Sequence, residues 1–255
     1  MTSLAHALWD ARVAGRPLAV TPAEKPQREA DGYRLQAEMI ALAGGALRGW
    51  KLGATSTVSQ VKLKTAQPFY GPLIDRFCHG NGAVVPAPAA FTPGIEVEFA
   101  LELGSDIAPR AKPYTGSELG DAVAAVIPAL EFAGLRVAGG FPAAGICTLI
   151  ADFGGNVAFV AGPRVTDWRR FDLAAQACRL RVNGAEKAVG SGALALGHPL
   201  EALAWFVNAM GKAGQTMKKG WVISTGTCTG FVPVQSGDRL EGDFGDLGRV
   251  SATVA

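Results

Sequence analysis

Histidine and cysteine are scarce, with three of one and four of the other in 255 residues. Cys78, Cys147, Cys178 and Cys228 stand apart, and no Cys-x-x-Cys pair occurs. The spacing of a structural zinc site or a dithiol motif is therefore missing. Four cysteines in so long a chain do not make a disulfide framework, so a reducing, cytoplasmic location is expected. An excess of either charge is missing too: the formal net charge is +2, and lysine and arginine are scattered. Nucleic-acid binding is not expected of such a surface. No apolar run reaches about 18 residues without proline or charge, so no membrane span is expected. The opening "MTSLAHALWDARVAG" lacks the basic-then-apolar order of a signal peptide. Internal repeats and low-complexity tracts are also missing.

What remains is a globular chain, 49% hydrophobic and 18% charged, long enough for a sizeable core. Its first 47 residues read as helical. Ser3 is a candidate cap for a helix carrying Leu4, Ala7, Leu8, Ala11 and Val13, ended by Gly15. A second helix is predicted from about Glu29 to Leu42, stopped by Gly44 and Gly45. From Trp50 onward, short apolar or β-branched segments alternate with Gly, Pro, Asp and Asn. "AVVPAP", "IEVEFALEL", "TLIADF", "NVAFVAG", "CRLRVNG", "WVISTG" and "DRLEGDFGDLGRVSATV" read as strands or strand ends. Two helices interrupt them, "GSELGDAVAAVIPALEFA" and "HPLEALAWFVNAMGKAG". The second has Pro199 near its start and an apolar stripe of Leu200, Leu203, Ala204 and Val207. Helix and strand do not alternate regularly enough for a doubly wound sheet. The expected fold class is α+β, with a helical segment at 1–47 before a β-rich domain at 48–255.

The chemistry-bearing residues are few. In "PGIEVEFALEL", Ile95, Val97, Phe99, Leu101 and Leu103 alternate with Glu96, Glu98, Ala100 and Glu102. On a strand, Glu96 and Glu98 then share a face, roughly 7 Å apart at the backbone. That face is either the wet side of a half-buried strand or an inward-facing site. No lysine or arginine interleaves to pair with the carboxylates. Glu131 is a lone charge between Ala122 and Leu135, either a helix end reaching water or a buried, paired group. Three glutamates without a Cys or His cluster would make an all-oxygen site for a hard cation, Mg²⁺ or Mn²⁺.

"GWKLGATS" places Lys51 between Trp50 and Leu52, either as a solvated strand-end lysine or as a cation stabilising an anion. Thr55 and Ser56 follow as hydroxyl donors. In "FYGPLIDRF", Asp75 is a candidate acid/base, a partner for Lys51, or half of a surface pair with Arg76. "WVISTGTCTG" offers Ser224, Thr225, Thr227 and Thr229 as a small anion-binding loop without the lysine of a P-loop. Cys228 and His198 read as structural.

In this order, "GWKLGATS", "YGPLID", "GIEVEFAL", "PALEFAG", "IADFGGNVAFVAG", "GHPLEALAWFVN" and "GWVISTGTCTG" resemble the 2-keto-4-pentenoate hydratase branch of the fumarylacetoacetate hydrolase superfamily. The landmarks span about residues 48 to 230. The resemblance implies a mixed β-roll preceded by helices, and a divalent metal held by Glu96, Glu98 and Glu131. It implies Lys51 and Asp75 as catalytic residues; Thr55, Ser56, Thr225 and Thr227, as nearby hydroxyls, are the candidate substrate contacts. It further implies a 2-oxo or 2-hydroxydienoic acid substrate, hydration as the reaction, and a homo-oligomer. Two stretches depart from the family pattern. "Asp152-Phe153-Gly154-Gly155-Asn156" stands where members often carry paired hydroxyls, and "QVKLKTAQP" follows Ser59 in place of the usual pattern. The alternatives are a vinylogous 2-oxo acid decarboxylase resembling 4-oxalocrotonate decarboxylase, a C–C hydrolase of 3-acylpyruvates, and a silent small-acid-binding relative.

Overall fold

The computed structural model describes residues 3–255. Helices α1 (Leu4–Ala14) and α2 (Glu29–Ala43) come first, then β1 (Leu47–Gly53), α3 (Thr57–Leu63), β2 (Phe69–Ile74), β3 (Cys78–Gly80) and β4 (Ala83–Val85). The middle of the chain carries β5 (Gly94–Leu103), α4 (Gly116–Leu119), β6 (Val123–Ala133), α5 (Gly140–Ala144), α6 (Ile146–Ala151) and β7 (Asn156–Ala161). The last third carries β8 (Ala177–Val182), β9 (Ala185–Ser191), α7 (Pro199–Lys212), β10 (Val222–Thr227), β11 (Val232–Pro233), β12 (Arg239–Asp243) and β13 (Arg249–Val254).

Capping chemistry sets the first helix. The Ser3 hydroxyl accepts from the His6 amide, and Gly15 closes the helix in the left-handed region. The long C-terminal helix α7 starts with Pro199, behind a His198 cap whose Nδ1 accepts from the Leu200 amide. Two predicted elements change type. "AAVIPALEFA" is not helical but forms β6, hydrogen-bonded to β5 along its length and buried on both faces. A strand buried on both faces loses its alternation, so period alone cannot distinguish it from a helix. Conversely, "TLIA" ends α6 rather than starting a strand. Its short apolar run carries the same ambiguity, here resolved by packing against α2.

The strands make two mixed sheets. The larger runs β2-β1-β10-β5-β6-β7-β3, with β11 added beside β5; the smaller runs β4-β13-β12-β8-β9. The apolar face of β5, with Ile95, Val97, Phe99, Leu101 and Leu103, joins Leu130 and Phe132 of β6 and Leu180, Leu240 and Val250 of the smaller sheet in one core. Each such side chain, fully buried, contributes on the order of 1.5–3 kcal/mol. The opposite face of β5 is also largely buried, with Glu96 and Glu102 its more open positions. Leu73, Ala100, Ile127, Ala129 and Phe159 form a small cluster beside the glutamates. A further cluster unites Leu8, Leu35 and Met39 of the N-terminal helices with Phe69, Ile74, Leu149, Ile150 and Phe153.

One buried ion pair fixes the turn between α6 and β7. Arg136 and Asp152 are both fully buried, with Nε to Oδ1 at 2.6 Å. The Arg136 amide also donates to Asp152 Oδ2 at 2.8 Å, and its guanidinium to the Asp152 carbonyl at 2.6 Å. Removing one partner strands the other charge in the interior. Asp152→Ala is expected to cost about 3–5 kcal/mol in urea unfolding, and the double variant Arg136→Met/Asp152→Leu less than the two single losses together.

Candidate metal centre

Neighbouring strands of the larger sheet bring the site together. Lys51 of β1 is in register with Ser224 of β10, Thr227 of β10 with Glu98 of β5, and Glu96 of β5 with Glu131 of β6. Asn156 opens β7, next to β6. The alternation of β5 therefore turns Glu96 and Glu98 away from the core and towards Glu131. One carboxylate oxygen from each of the three lies within 4.8 Å of the others. Glu98 and Glu131 are fully buried, while Glu96 is only partly buried and forms the more open side.

The hydrogen bonds divide the oxygens of the two buried carboxylates. Glu98 Oε2 accepts from Ser224 Oγ at 2.6 Å and from the Gly226 amide at 3.1 Å. Glu131 Oε1 accepts from Asn156 Nδ2 at 3.0 Å and lies 3.3 Å from Lys51 Nζ. Glu98 Oε1 and Glu131 Oε2 have no hydrogen-bond partner among the described residues. A buried carboxylate oxygen left unpartnered is costly, and a cation removes that cost. Burial, then the charge of Glu131, push Glu96 up to about 7 and raise Glu98 well above the usual carboxylate range. The donor set is all oxygen and anionic, which fits a hard divalent cation.

Lys51 is the cation built into this face. It is 3% exposed, and its ammonium lies 5.3 Å from the centre of the Phe69 ring. Gly226 makes the Glu98 contact possible. Its φ is +97°, and a Cβ there would meet Thr55 Oγ1 at 2.0 Å, so only glycine brings its amide to the carboxylate.

The other sequence-predicted residues lie differently. Thr225 points to the opposite face, where its hydroxyl donates to the Phe99 carbonyl at 2.9 Å. The Thr227 hydroxyl accepts from the Thr229 and Gly230 amides, stabilising the loop after β10. Ser56 caps α3, and Thr55 packs on Gly226. Asp75 follows β2, four residues beyond Gly71, the register partner of Lys51, so roughly 13 Å away along the strand. Its carboxylate accepts from the Arg76 amide, and the structure does not bring it to the glutamates. Glu102, on the glutamate face but farther along, is held by a two-pronged Arg164 contact at 2.6 and 2.7 Å. Ser224, named from the sequence only as part of an anion-binding loop, holds Glu98, and Asn156, named only within a departing stretch, holds Glu131. Strand parity signals the first, because 224 and 226 share a face that 225 does not.

The fumarylacetoacetate (FAA) hydrolase C-terminal family model matches residues 57–255. The chain belongs to the fumarylacetoacetate hydrolase family. Within it, the relatives include the 2-keto-4-pentenoate hydratase of Paraburkholderia xenovorans, 30% identical over 96% of this chain and 91% of that protein. The 2-hydroxyhexa-2,4-dienoate hydratase of Comamonas testosteroni is 32% identical over 92% of this chain and 89% of that protein. Among solved structures, the 4-oxalocrotonate decarboxylase of Pseudomonas putida G7, complexed with calcium and acetate, superposes with a TM-score of 0.89 at 26% identity. That match covers 99% of this chain and 96% of the other. The same decarboxylase has also been solved with magnesium and adipate.

For this family member, the split of carboxylate oxygens predicts metal binding directly. Mn²⁺ at a hundred times its Kd is expected to stabilise the fold by about 2.7 kcal/mol, read as a rise in Tm. Glu98→Gln and Glu131→Gln are expected to abolish that rise while folding, by circular dichroism, as the parent does.

Proposed function

We propose that the chain is a divalent-metal-dependent hydratase of a 2-hydroxydienoate or the corresponding unsaturated 2-oxo acid. The observation that carries this reading is the pair of buried, unpartnered oxygens on Glu98 and Glu131, with Lys51 beside them. Glu96, Glu98 and Glu131 would hold Mg²⁺ or Mn²⁺. When bound, the cation supplies Lewis-acid stabilisation of charge developing on the oxygen at C2.

The protein's own residues supply the rest. Lys51 places a fixed positive charge next to Glu131, where it stabilises a substrate carboxylate or the anionic oxygen of the enolate. The Ser224 hydroxyl and the Gly226 amide hold Glu98 in one orientation, so the carboxylates need not reorganise during turnover. Phe69, under the Lys51 ammonium, presents an apolar surface that keeps water away from the charge. In the reaction, a proton moves from the 2-hydroxyl to the far end of the dienol, giving a 2-oxo-3-enoate. Water then adds at C4, giving a 4-hydroxy-2-oxo acid. Asp75 has no part in this scheme, because its position separates it from Lys51.

A second reading is supported by the match to 4-oxalocrotonate decarboxylase along 99% of the chain. In that reaction the same stabilised enolate forms as CO₂ departs. One assay separates the two. Purified protein with Mg²⁺ or Mn²⁺ is given 2-hydroxypenta-2,4-dienoate or 2-oxohex-3-enedioate, and ultraviolet absorbance and CO₂ are followed together. Loss of the dienol without CO₂ is the expected result; CO₂ release favours the decarboxylase, and neither overturns both. Lys51→Met is expected to lower kcat by about 10²–10³-fold, because a preorganised charge at the enolate oxygen is lost.

A further inference from the structure

Asn156 occupies an unusual place. Its side-chain amide donates to Glu131 Oε1 at 3.0 Å, while its own backbone carbonyl is gripped from behind by two guanidiniums. Arg12, from the last turn of α1, donates to the Asn156 carbonyl at 2.7 Å and to the Val157 carbonyl at 2.6 Å. Arg136 donates to the same Asn156 carbonyl at 3.0 Å and is itself locked to Asp152. The Arg12 guanidinium carbon sits over Phe77, 3.8 Å from the ring centre, and 5.4 Å from that of Phe153. Its position is therefore set by packing as well as by hydrogen bonds.

We propose that Asn156 is a positioning residue for Glu131, and that Arg12 of the N-terminal helix holds Asn156 in place for that purpose. This rests on reading the three glutamates as a metal site. Glu131 must keep one oxygen turned to its protein donors so that the other stays free. Lys51 and Asn156 both serve Oε1, but they are not equivalent. Lys51 carries a charge that a substrate anion competes for. Asn156 is neutral and anchored at a strand end, so it keeps Glu131 oriented when Lys51 engages substrate. Groups that orient a ligating side chain in this way typically alter metal affinity by about 10–100-fold. The inference gives the N-terminal helix a role beyond covering the sheet, because its Arg12 reaches Glu131 through one residue.

The test measures Mn²⁺ affinity by isothermal titration calorimetry, with Tm of the metal-free protein alongside. Asn156→Leu keeps the branched shape and removes the donor; it is expected to weaken Mn²⁺ binding by about 10–100-fold. Arg12→Met is expected to weaken Mn²⁺ binding in the same direction by a smaller factor, and Arg12→Lys, which keeps a donor, less again. Parent-like Mn²⁺ affinity in Asn156→Leu overturns the proposal. Parent-like affinity in both Arg12 variants, whatever their Tm, reduces Arg12 to a structural residue and overturns its part. If the parent itself binds no Mn²⁺, the metal-site reading fails first; if the parent binds and Asn156→Leu binds equally, only this inference fails.

Discussion

Three carboxylates gathered in the interior, with a single lysine among them, are the constraint on which the rest of this molecule depends. At a separation of 4.8 Å, two unit charges repel by roughly 3 kcal/mol even at an effective dielectric of 20. Burial adds a desolvation cost for each charge. A fold keeps such a cluster only if something positive is supplied and the backbone cannot relax to separate the charges. The second condition is met by the sheet. Glu96 and Glu131 sit opposite each other on adjacent antiparallel strands, and Glu98 follows two residues on. Separating them would mean breaking the longest strand pairing in the protein.

The first condition shapes the neighbouring elements. Lys51 arrives on β1, and its ammonium reaches Glu131 of β6 across two intervening strands, β10 and β5. Of these, β10 could not carry bulk at the same level. It presents Ser224, whose small side chain is a donor, and Gly226, whose bare amide is another. The apolar cluster of Leu73, Ala100, Ile127, Ala129 and Phe159 lies on the same sheet face and provides no competing donors. Glu98 and Glu131 are thus each left with one oxygen satisfied and one not. This is the physical form that a demand for a cation takes in the absence of histidine and cysteine.

Much of this was legible in the sequence, for reasons that can be stated residue by residue. The β5 alternation was clean because its two faces differ chemically, apolar towards the core and acidic towards the site. The helix ends marked by Ser3, Gly15 and Pro199 were legible because they are local chemistry. Glu131 stood out as a lone charge, but its strand did not. With Ala129 and Ile127 on one face and Leu130 and Phe132 on the other, β6 has no polar side from which to read a period. Thr225 and Thr227 attracted attention as hydroxyls, whereas parity places Ser224 and Gly226 on the glutamate face. Asp75 follows a Gly-Pro pair that singles it out locally, and its separation from Lys51 is a matter of strand register, which one segment cannot reveal. Asn156 was visible only as a departure from a family pattern.

That departure has its own physical logic. Phe153, Gly154 and Gly155 all adopt positive φ, at 53°, 60° and 81°. For phenylalanine this backbone region costs energy, of order 1 kcal/mol or more. The cost is offset because the ring is fully buried against the N-terminal helices and because the Arg136–Asp152 pair closes the turn around it. Its carbonyl packs so closely on Gly71 that a Cβ at 71 would lie 2.0 Å from it, which restricts that strand position to glycine. A turn wound this tightly places no side-chain hydroxyl at 154 or 155. The first position able to offer a donor to Glu131 is the residue at which the chain regains the extended conformation. Serine there would be one heavy atom shorter between Cα and donor, whereas asparagine reaches the carboxylate at 3.0 Å. The loss of hydroxyls in the turn and the gain of an amide after it therefore belong to one structural solution.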